Sequence, residues 1–578
     1  MAFIEKATGP FRSRQAFIEM LRTDAHNNEP ESTRWSNFDL QPTRPEQRTW
    51  RWYHLPLFWG GLAFGTSGWN VASSLIAVGL TWRHALASCF IGSFIAAFAV
   101  VGMARPAAKY HIGYPVYLRS VMGMYGSYFF VVLRLLTGVC WFGIQTYSGG
   151  NLIATCLLCM FGQSWRDFSN SLPLSASVTS KQLLCFFIAW IIQVPLFFIH
   201  PTKIQWFFTV KGILMPITTF ALFGWCVSQG AGFSHVDSSK LVSTSAQLPL
   251  GWSIMAGINT ILGSLASLVV SQPDLARYAH KPSDAGWPQG LAMFACKVLV
   301  FFLGLASTAS IQAAWGKAYW NVWDLLNAIL DHHWNAGARC AIFLVSLMFY
   351  FSAVGTNIGT NTIAFGADLT GLMPRYMTIR RGQVLCAVLG VAIVPWKILA
   401  SAQNFVSFLG AVPIFFAPLS AIMVVDYCYA RRGNLHVPSL FVGEPGALYW
   451  FTYATNWRGI FAWCCGAVMG LPGMVGVFAP SLVSLAAKNM YRLGWLLTFT
   501  TAAVVYAACV TFFPVQVYPE RYAGEPRTFE YMAKNDGYFP GEEPEGIITA
   551  AAITDVEKDL DPDQDDKKSI DKVDVTPA

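Results

Sequence analysis

Apolar residues fill this chain in long stretches, without the strict alternation of a half-buried strand or the one-sided stripe of a surface helix. A helix needs about 20 apolar residues to cross the hydrocarbon core of a bilayer. Stretches of that kind lie near 55–80, 84–104, 128–160, 182–200, 205–228, 252–271, 290–313, 339–366, 384–400, 403–428, 458–481 and 492–514. They predict an all-α, polytopic membrane protein with about 12 transmembrane helices, the ninth and tenth separated by little more than "SAQ". An even number of crossings leaves both tails on one side. The loops after even-numbered spans hold Arg105, Lys109 and Arg119, then Lys203, Arg277 and Lys281, Arg375, Arg380 and Arg381, and Arg431 and Arg432. Lys317, Arg339 and Lys488 lie in the opposite loops, yet the clustered arginines favour cytoplasmic termini.

Composition agrees with this pattern. Of 578 residues, 54% are hydrophobic and 12% charged, against about a quarter charged in soluble proteins. A net charge of +7 is small for this length and gives no support for nucleic-acid binding. The 13 cysteines are scattered through apolar runs, so no disulfide framework is expected. "CLLC", Cys156 to Cys159, has the spacing of half a zinc site but no second pair nearby. Packing is therefore expected there rather than metal, and no cofactor is expected.

Three segments follow: a polar cytoplasmic N-terminal tail over 1–54, with no apolar signal core, a twelve-helix core over 55–514, and a tail over 515–578. The last stretch, "DVEKDLDPDQDDKKSIDKVDVTPA", is acidic and lacks aromatics, which predicts a disordered cytoplasmic tail. Lys558, Lys567, Lys568 and Lys572 are candidate modification targets, with ubiquitin-ligase machinery the candidate partner of the tails. A solubilising role is the simpler reading of the same residues.

Inside the apolar runs, a few polar groups stand out. In "CWFGIQTYSGG", Trp141 and Gln145 are four residues apart and share one helix face. An indole offers a flat stacking surface, and a carboxamide offers the donors and acceptor that suit the edge of an imide or ureide ring. A structural bond between helices is the alternative for Gln145. The first span is interrupted by Gly65, Thr66, Ser67 and Gly68, and the sixth by Gly257, Asn259, Gly263 and Ser264. Broken helices at corresponding positions, five helices apart, fit two inverted repeats with a substrate site between them. Ser67 and Gly263 are thereby candidate substrate contacts, with close helix packing as the alternative. The eighth span carries Asn357 and Asn361, flanked by Thr356 and Thr360, again four residues apart. Amides at helix centre need a polar interior, which makes both candidate substrate contacts, or one of them with the other turned to a neighbouring helix, and a structural amide ladder is the alternative. Lys211 stands about two turns inside the fifth span, where an ionisable group is a functional candidate unless it snorkels. Arg134 reads as an interfacial anchor, and Asp274 with Arg277 as a local ion pair. His332 and His333 sit together without an obvious partner, and no acid, histidine or metal cluster points to an enzyme.

Several longer motifs occur in a fixed order: "NFDLQPTRPEQRTW", "SSLIAVGLTW", "CWFGIQTYSGG", "VSQPDLARYA", "NIGTNTIAFGADLTGLMPRYMTIRRG", "VVDYCYARRGNL", "NWRGIFAW" and "GLPGM". Over about Asn37 to Phe513 the chain resembles the fungal uracil, allantoin and uridine permeases of the nucleobase-cation-symport family one. The resemblance implies a five-plus-five inverted-repeat (LeuT-like) carrier with two extra C-terminal helices. It implies a plasma-membrane permease working by alternating access, here a symporter of a small-molecule substrate. It also implies that Trp141 stacks on a substrate ring, that Gln145 bonds its edge, and that Asn361 contacts substrate. Gly355 and Thr356 match the part of helix eight that holds sodium in bacterial members. Fungal members look proton-coupled, and a helix-five lysine replaces sodium in some carriers of this fold, which points to Lys211 and to H⁺ over Na⁺. The centre of the first span, "AFGTSGWNVA", departs from the uracil-type pattern toward the thiamine and nicotinamide-riboside carriers, which lack the Trp–Gln pair. A thiamine or nicotinamide-riboside carrier and a non-transporting nutrient sensor are the alternative readings.

Overall fold

Within a bilayer every backbone N–H and C=O must be paired inside the protein, and helices achieve this segment by segment. The computed structural model describes residue 22 and residues 33–198, 205–230 and 249–542. Helices dominate, and among the described residues no strand longer than an isolated bridge occurs. In chain order the principal helices are α1 (His54–Ala63), α2 (Thr66–Ala77), α3 (Trp82–Tyr110), α4 (Tyr114–Met122), α5 (Gly126–Phe161), α6 (Ser180–Gln193), α7 (Gln205–Gln229) and α8 (Leu250–Ala276). They continue as α9 (Trp287–Trp315), α10 (Val322–His332), α11 (Ala336–Thr356), α12 (Ile363–Leu372), α13 (Ile379–Ala392), α14 (Ala402–Val425), α15 (Trp457–Phe478) and α16 (Leu485–Phe512).

Ten segments among the described residues are long and apolar enough to cross a membrane. The other two expected spans are each built from short pieces. The first is α1 and α2, joined through Phe64 and Gly65, and the ninth is α13 followed by a 3₁₀ turn at Pro395–Ala400. The break in the first span depends on close approach. A Cβ on Gly65 would meet Ser352 Oγ of α11 at 2.8 Å, and one on Gly68 would run into the Ala63 carbonyl. The eighth span is α11 and α12, continuous through a π-helical turn at Asn357–Thr362. Such turns interrupt the regular ladder and concentrate at functional sites.

The sixth span corrects an expectation: α8 is an unbroken helix. Gly263 is there because a Cβ would run into the Leu409 carbonyl of α14, and a Cβ on Gly257 would crowd Ser88 of α3. Asn259 likewise serves packing, its amide donating to the carbonyls of Gly410 and Tyr491 and its oxygen accepting from Trp495 N at 2.9 Å. Small and amide residues here let helices approach closely and bind them together.

One end of the bundle collects the basic loops and both tail segments. Arg277 donates to Thr43 Oγ1 and to the carbonyls of Asp39 and Gln41, so it ties the N-terminal segment down rather than pairing with Asp274. Arg48 pairs with Asp536 at 2.9 Å, and Arg105 and Lys109 with Glu530. Residues 515–542, expected to be disordered, pack on this end through Val515, Val517, Tyr518, Met532 and Phe539, all buried. The aromatic content of that first part of the tail, unlike the acidic end, gives it surface to bury. Lys558, Lys567, Lys568 and Lys572 lie outside the described residues. His332, which the sequence left without a partner, stacks on Trp315 with centroids 4.0 Å apart.

Candidate substrate site

Where α1 and α2 break, the backbone lies beside α5, α8, α9 and the π-helical turn, and the space left between them is a cavity. Trp141 and Gln145 line it from α5, Ser67 from the break, and Thr356 and Asn361 from the eighth span. Five of the nine candidate residues are thus brought together.

Gln145 spans the gap to the broken helix: its Oε1 accepts from Thr66 Oγ1 at 3.2 Å and its Nε2 donates to Ser67 Oγ. Trp141 is 7% exposed, lies edge-on to Phe408 with centroids 5.9 Å apart, and its indole N–H has no partner among the described residues. A buried donor left open at a cavity wall is a point where a ligand acceptor gains a bond.

The two asparagines divide their work. Asn361 lines the cavity, and its Nδ2 donates to Asn357 Oδ1 at 2.9 Å. Asn357, expected among the substrate contacts, is turned away. Its Nδ2 donates to Thr146 Oγ1 and Gln193 Oε1, both at 3.0 Å, which links the eighth span to α5 and α6. Gly263 is also outside the cavity, held against α14, and Gly355 faces α7, where a Cβ would enter the Phe207 ring.

Lys211 does not snorkel. It is fully buried, and its amine donates to Thr356 Oγ1 at 2.8 Å and to the Ser352 carbonyl at 3.0 Å. Thr356 also lines the cavity, so one hydroxyl joins the amine to the site.

The sequence reading missed Lys297, which lines the same cavity from α9 and is 5% exposed. The signal was available: a lysine inside the apolar run "FACKVLVFF" meets the criterion that singled out Lys211. Ser264 and Thr360, noted in the sequence beside the helix breaks and the asparagines, also line the wall, as do Ser267 and Phe301, which carried no comparable signal.

A second cavity shares Leu268 and Thr360 with the first and reaches Asp274 at its far end. Arg134 stands there, 2% exposed, and is no interfacial anchor. Its Nη1 is 2.7 Å from Asp274 Oδ2, an ion pair out of hydrogen-bond alignment, and its Nε donates to Asp368 Oδ2 at 2.6 Å. The guanidinium also lies over the Tyr114 ring at 3.8 Å. One cation thus joins α5, α8 and α12. Among the described residues no group of three histidine, cysteine or acidic side chains is placed to hold a metal, and all 13 cysteines are unpaired.

Comparison with known proteins agrees with this geometry. The allantoin permease of Saccharomyces cerevisiae is 32% identical over 483 residues, covering 83% of this chain and 76% of that one. The uracil permease of the same yeast is 28% identical over 484 residues, with the same coverage. Two solved structures of Mhp1 share the fold. The inward-facing form matches with a TM-score of 0.66 at 18% identity, over 85% of this chain and 98% of that one. The closed form with bromovinylhydantoin bound matches at 0.63 and 21%, over 84% and 98%. The five-plus-five carrier fold expected from the sequence is therefore the fold of this multi-pass membrane protein. A family described as permease for cytosine/purines, uracil, thiamine, allantoin matches residues 42–498. The chain belongs to that family, as its motifs implied, and is a membrane transporter rather than an enzyme.

Proposed function

We propose that this transporter is a proton-coupled symporter that imports a small planar nitrogen heterocycle, of the kind its allantoin, uracil and uridine permease relatives are named for. The observation that carries the reading is the convergence of Trp141, Gln145 and Asn361 on one cavity at the break of the first span. The indole supplies a stacking face and the amides read the ring edge. An analogue lacking an edge group leaves a buried amide unpaired, at about 1–3 kcal/mol, and this is the source of selectivity.

Lys211 supports the proton as coupling ion. A carbonyl and a hydroxyl oxygen form the kind of ligand set that holds a hard cation. Here an amine fills that place, carrying its own charge. Loading and release of a proton on Lys211 would then be felt at Thr356 and the substrate. The Arg134 triad closes the far end of the second cavity, so its opening is the step that releases substrate inward. We place the protein in the plasma membrane, as the resemblance to fungal permeases implies, with both termini cytoplasmic, on the bias of arginine in the loops after even-numbered spans.

The test is radiolabelled uracil and allantoin uptake in permease-deficient cells, with thiamine and nicotinamide riboside as competitors and a protonophore control. Uptake that collapses with the protonophore and is lost in Gln145→Ala at unchanged surface amount is the expected result. Gln145→Ala with unaltered uptake kinetics refutes the site, and binding without accumulation would make the protein a sensor.

A further inference from the structure

The cavity is unevenly provisioned. Gln145 has both ends of its amide engaged, with Thr66 and Ser67. Asn361 has its N–H held by Asn357 and its oxygen accepting from Thr360 Oγ1. What remains open is donor capacity: the indole N–H of Trp141, and the amine of Lys297.

Lys297 is unlike the other buried cations of the described core. Arg134 faces Asp274 and Asp368, Arg431 pairs with Asp426 at 2.8 Å, Arg119 donates to the carbonyls of Trp35 and Leu440, and Lys211 donates to two oxygens. Lys297 makes no ion pair and no hydrogen bond among the described residues. Its amine lies 5.8 Å from the Phe301 ring. No acidic residue lines the cavity. A lysine presents three donors and no acceptor. An ammonium held away from water without a counter-charge costs several kcal/mol, and a paired one much less. The group that satisfies Lys297 must therefore arrive with the ligand, and it must be rich in acceptors and negative.

We propose that Lys297 makes this an anion-recognising site, selecting planar nitrogen heterocycles that carry a ring carboxylate. The inference rests on the heterocycle reading above and narrows it. The carboxylate pairs with the Lys297 amine, while the ring lies on the Trp141 indole. The nearby Lys211 adds positive potential without being available itself, since its donors are already engaged.

The experiment uses the full chain, purified in detergent, and two matched pairs of probes: orotate with uracil, and nicotinate with nicotinamide. The readout is the shift of thermal unfolding with probe concentration, with competition of radiolabelled orotate uptake in permease-deficient cells as the second measurement. The carboxylated member of each pair is expected to bind at least about tenfold more tightly than the neutral one. Lys297→Met is expected to remove that preference, and Lys297→Arg to restore most of it. A wild-type protein that binds uracil and nicotinamide as well as their carboxylated partners overturns the inference and leaves the heterocycle reading standing. A preference unchanged in Lys297→Met overturns it too, as does a Lys297→Met variant that keeps the preference but transports regardless of the proton gradient, which would assign Lys297 to coupling. Failure of all four probes to bind or compete overturns the heterocycle reading and this inference together.

Discussion

Asn357 and Asn361 stand one turn apart on one span, yet the structure gives them different duties, and alanine at each position separates these. Asn357→Ala removes four bonds: those donated to Thr146, Gln193 and the Phe142 carbonyl, and the one accepted from Asn361. At about 0.6 kcal/mol each, the average for side-chain bonds between helices in a membrane, these sum to roughly 2 kcal/mol. Thr146 and Gln193 keep their mutual bond, but Gln193 Oε1 is left short of a donor, adding about 1–3 kcal/mol. Asn361→Ala removes two bonds, the one to Asn357 and the one accepted from Thr360, at the wall of a cavity where water can take their place, so its cost in stability is at most about 1 kcal/mol. Its cost to the substrate is larger: one lost edge contact of about 1–3 kcal/mol is roughly a five- to hundredfold rise in KM. Asn357→Ala is thus expected to lower thermal stability and surface amount, and Asn361→Ala to spare both while weakening uptake per molecule. Fluorescence-detected size-exclusion after heating, beside uptake normalised to surface protein, measures the two quantities. Asn361→Ala destabilising as much as Asn357→Ala, or Asn357→Ala with wild-type stability, refutes the division of roles.

Three further outcomes follow from the geometry. Lys211→Gln keeps a donor to Ser352 and Thr356 but loses the charge, so substrate should still bind while accumulation against a gradient and sensitivity to a protonophore disappear; uptake in proteoliposomes with an imposed pH gradient checks this. In the triad, Arg134→Met strands two buried carboxylates and should cost about 3–5 kcal/mol, whereas Asp368→Asn leaves a one-to-one pair and costs less. Melting of the two purified variants orders them, and equal losses would count against the triad. Where the tail segment docks on the loop after α14, His436 Nε2 lies 2.8 Å from Glu542 Oε2. Burial, opposed by Glu542, lowers the histidine pKa from its ordinary 6.5. The undocked state therefore takes up a proton first as pH falls through that value, so docking is complete above it and weakens below it. Amide hydrogen exchange over 515–542 should quicken on the acid side, and His436→Asn should flatten the response.

Much of this molecule was legible in the order of its residues because a bilayer leaves few options. Apolar length alone located ten long crossings, and the rule that amides and amines do not face lipid picked out Trp141, Gln145, Asn361 and Lys211. What spacing does not carry is direction. Glycines at mid-helix mark either an unwound segment or a close approach, and the two look alike in a sequence. At Gly65 the neighbour is Ser352 and the chain breaks; at Gly263 it is the Leu409 carbonyl and the helix runs on. The same ambiguity turned Asn357 into a ladder rung, and Arg134 from an anchor into the centre of a triad, since its two carboxylates lie about 140 and 234 positions away along the chain. Long-range charge pairing cannot be read from local pattern. Lys297 is the reverse case: the local signal was present, and its meaning appears only when every other buried cation is seen to have a partner and this one does not. Polar groups in an oily interior are thus best sorted by what already satisfies them. A group with every donor and acceptor taken holds the fold, and one with bonding capacity left at a cavity wall describes the missing guest.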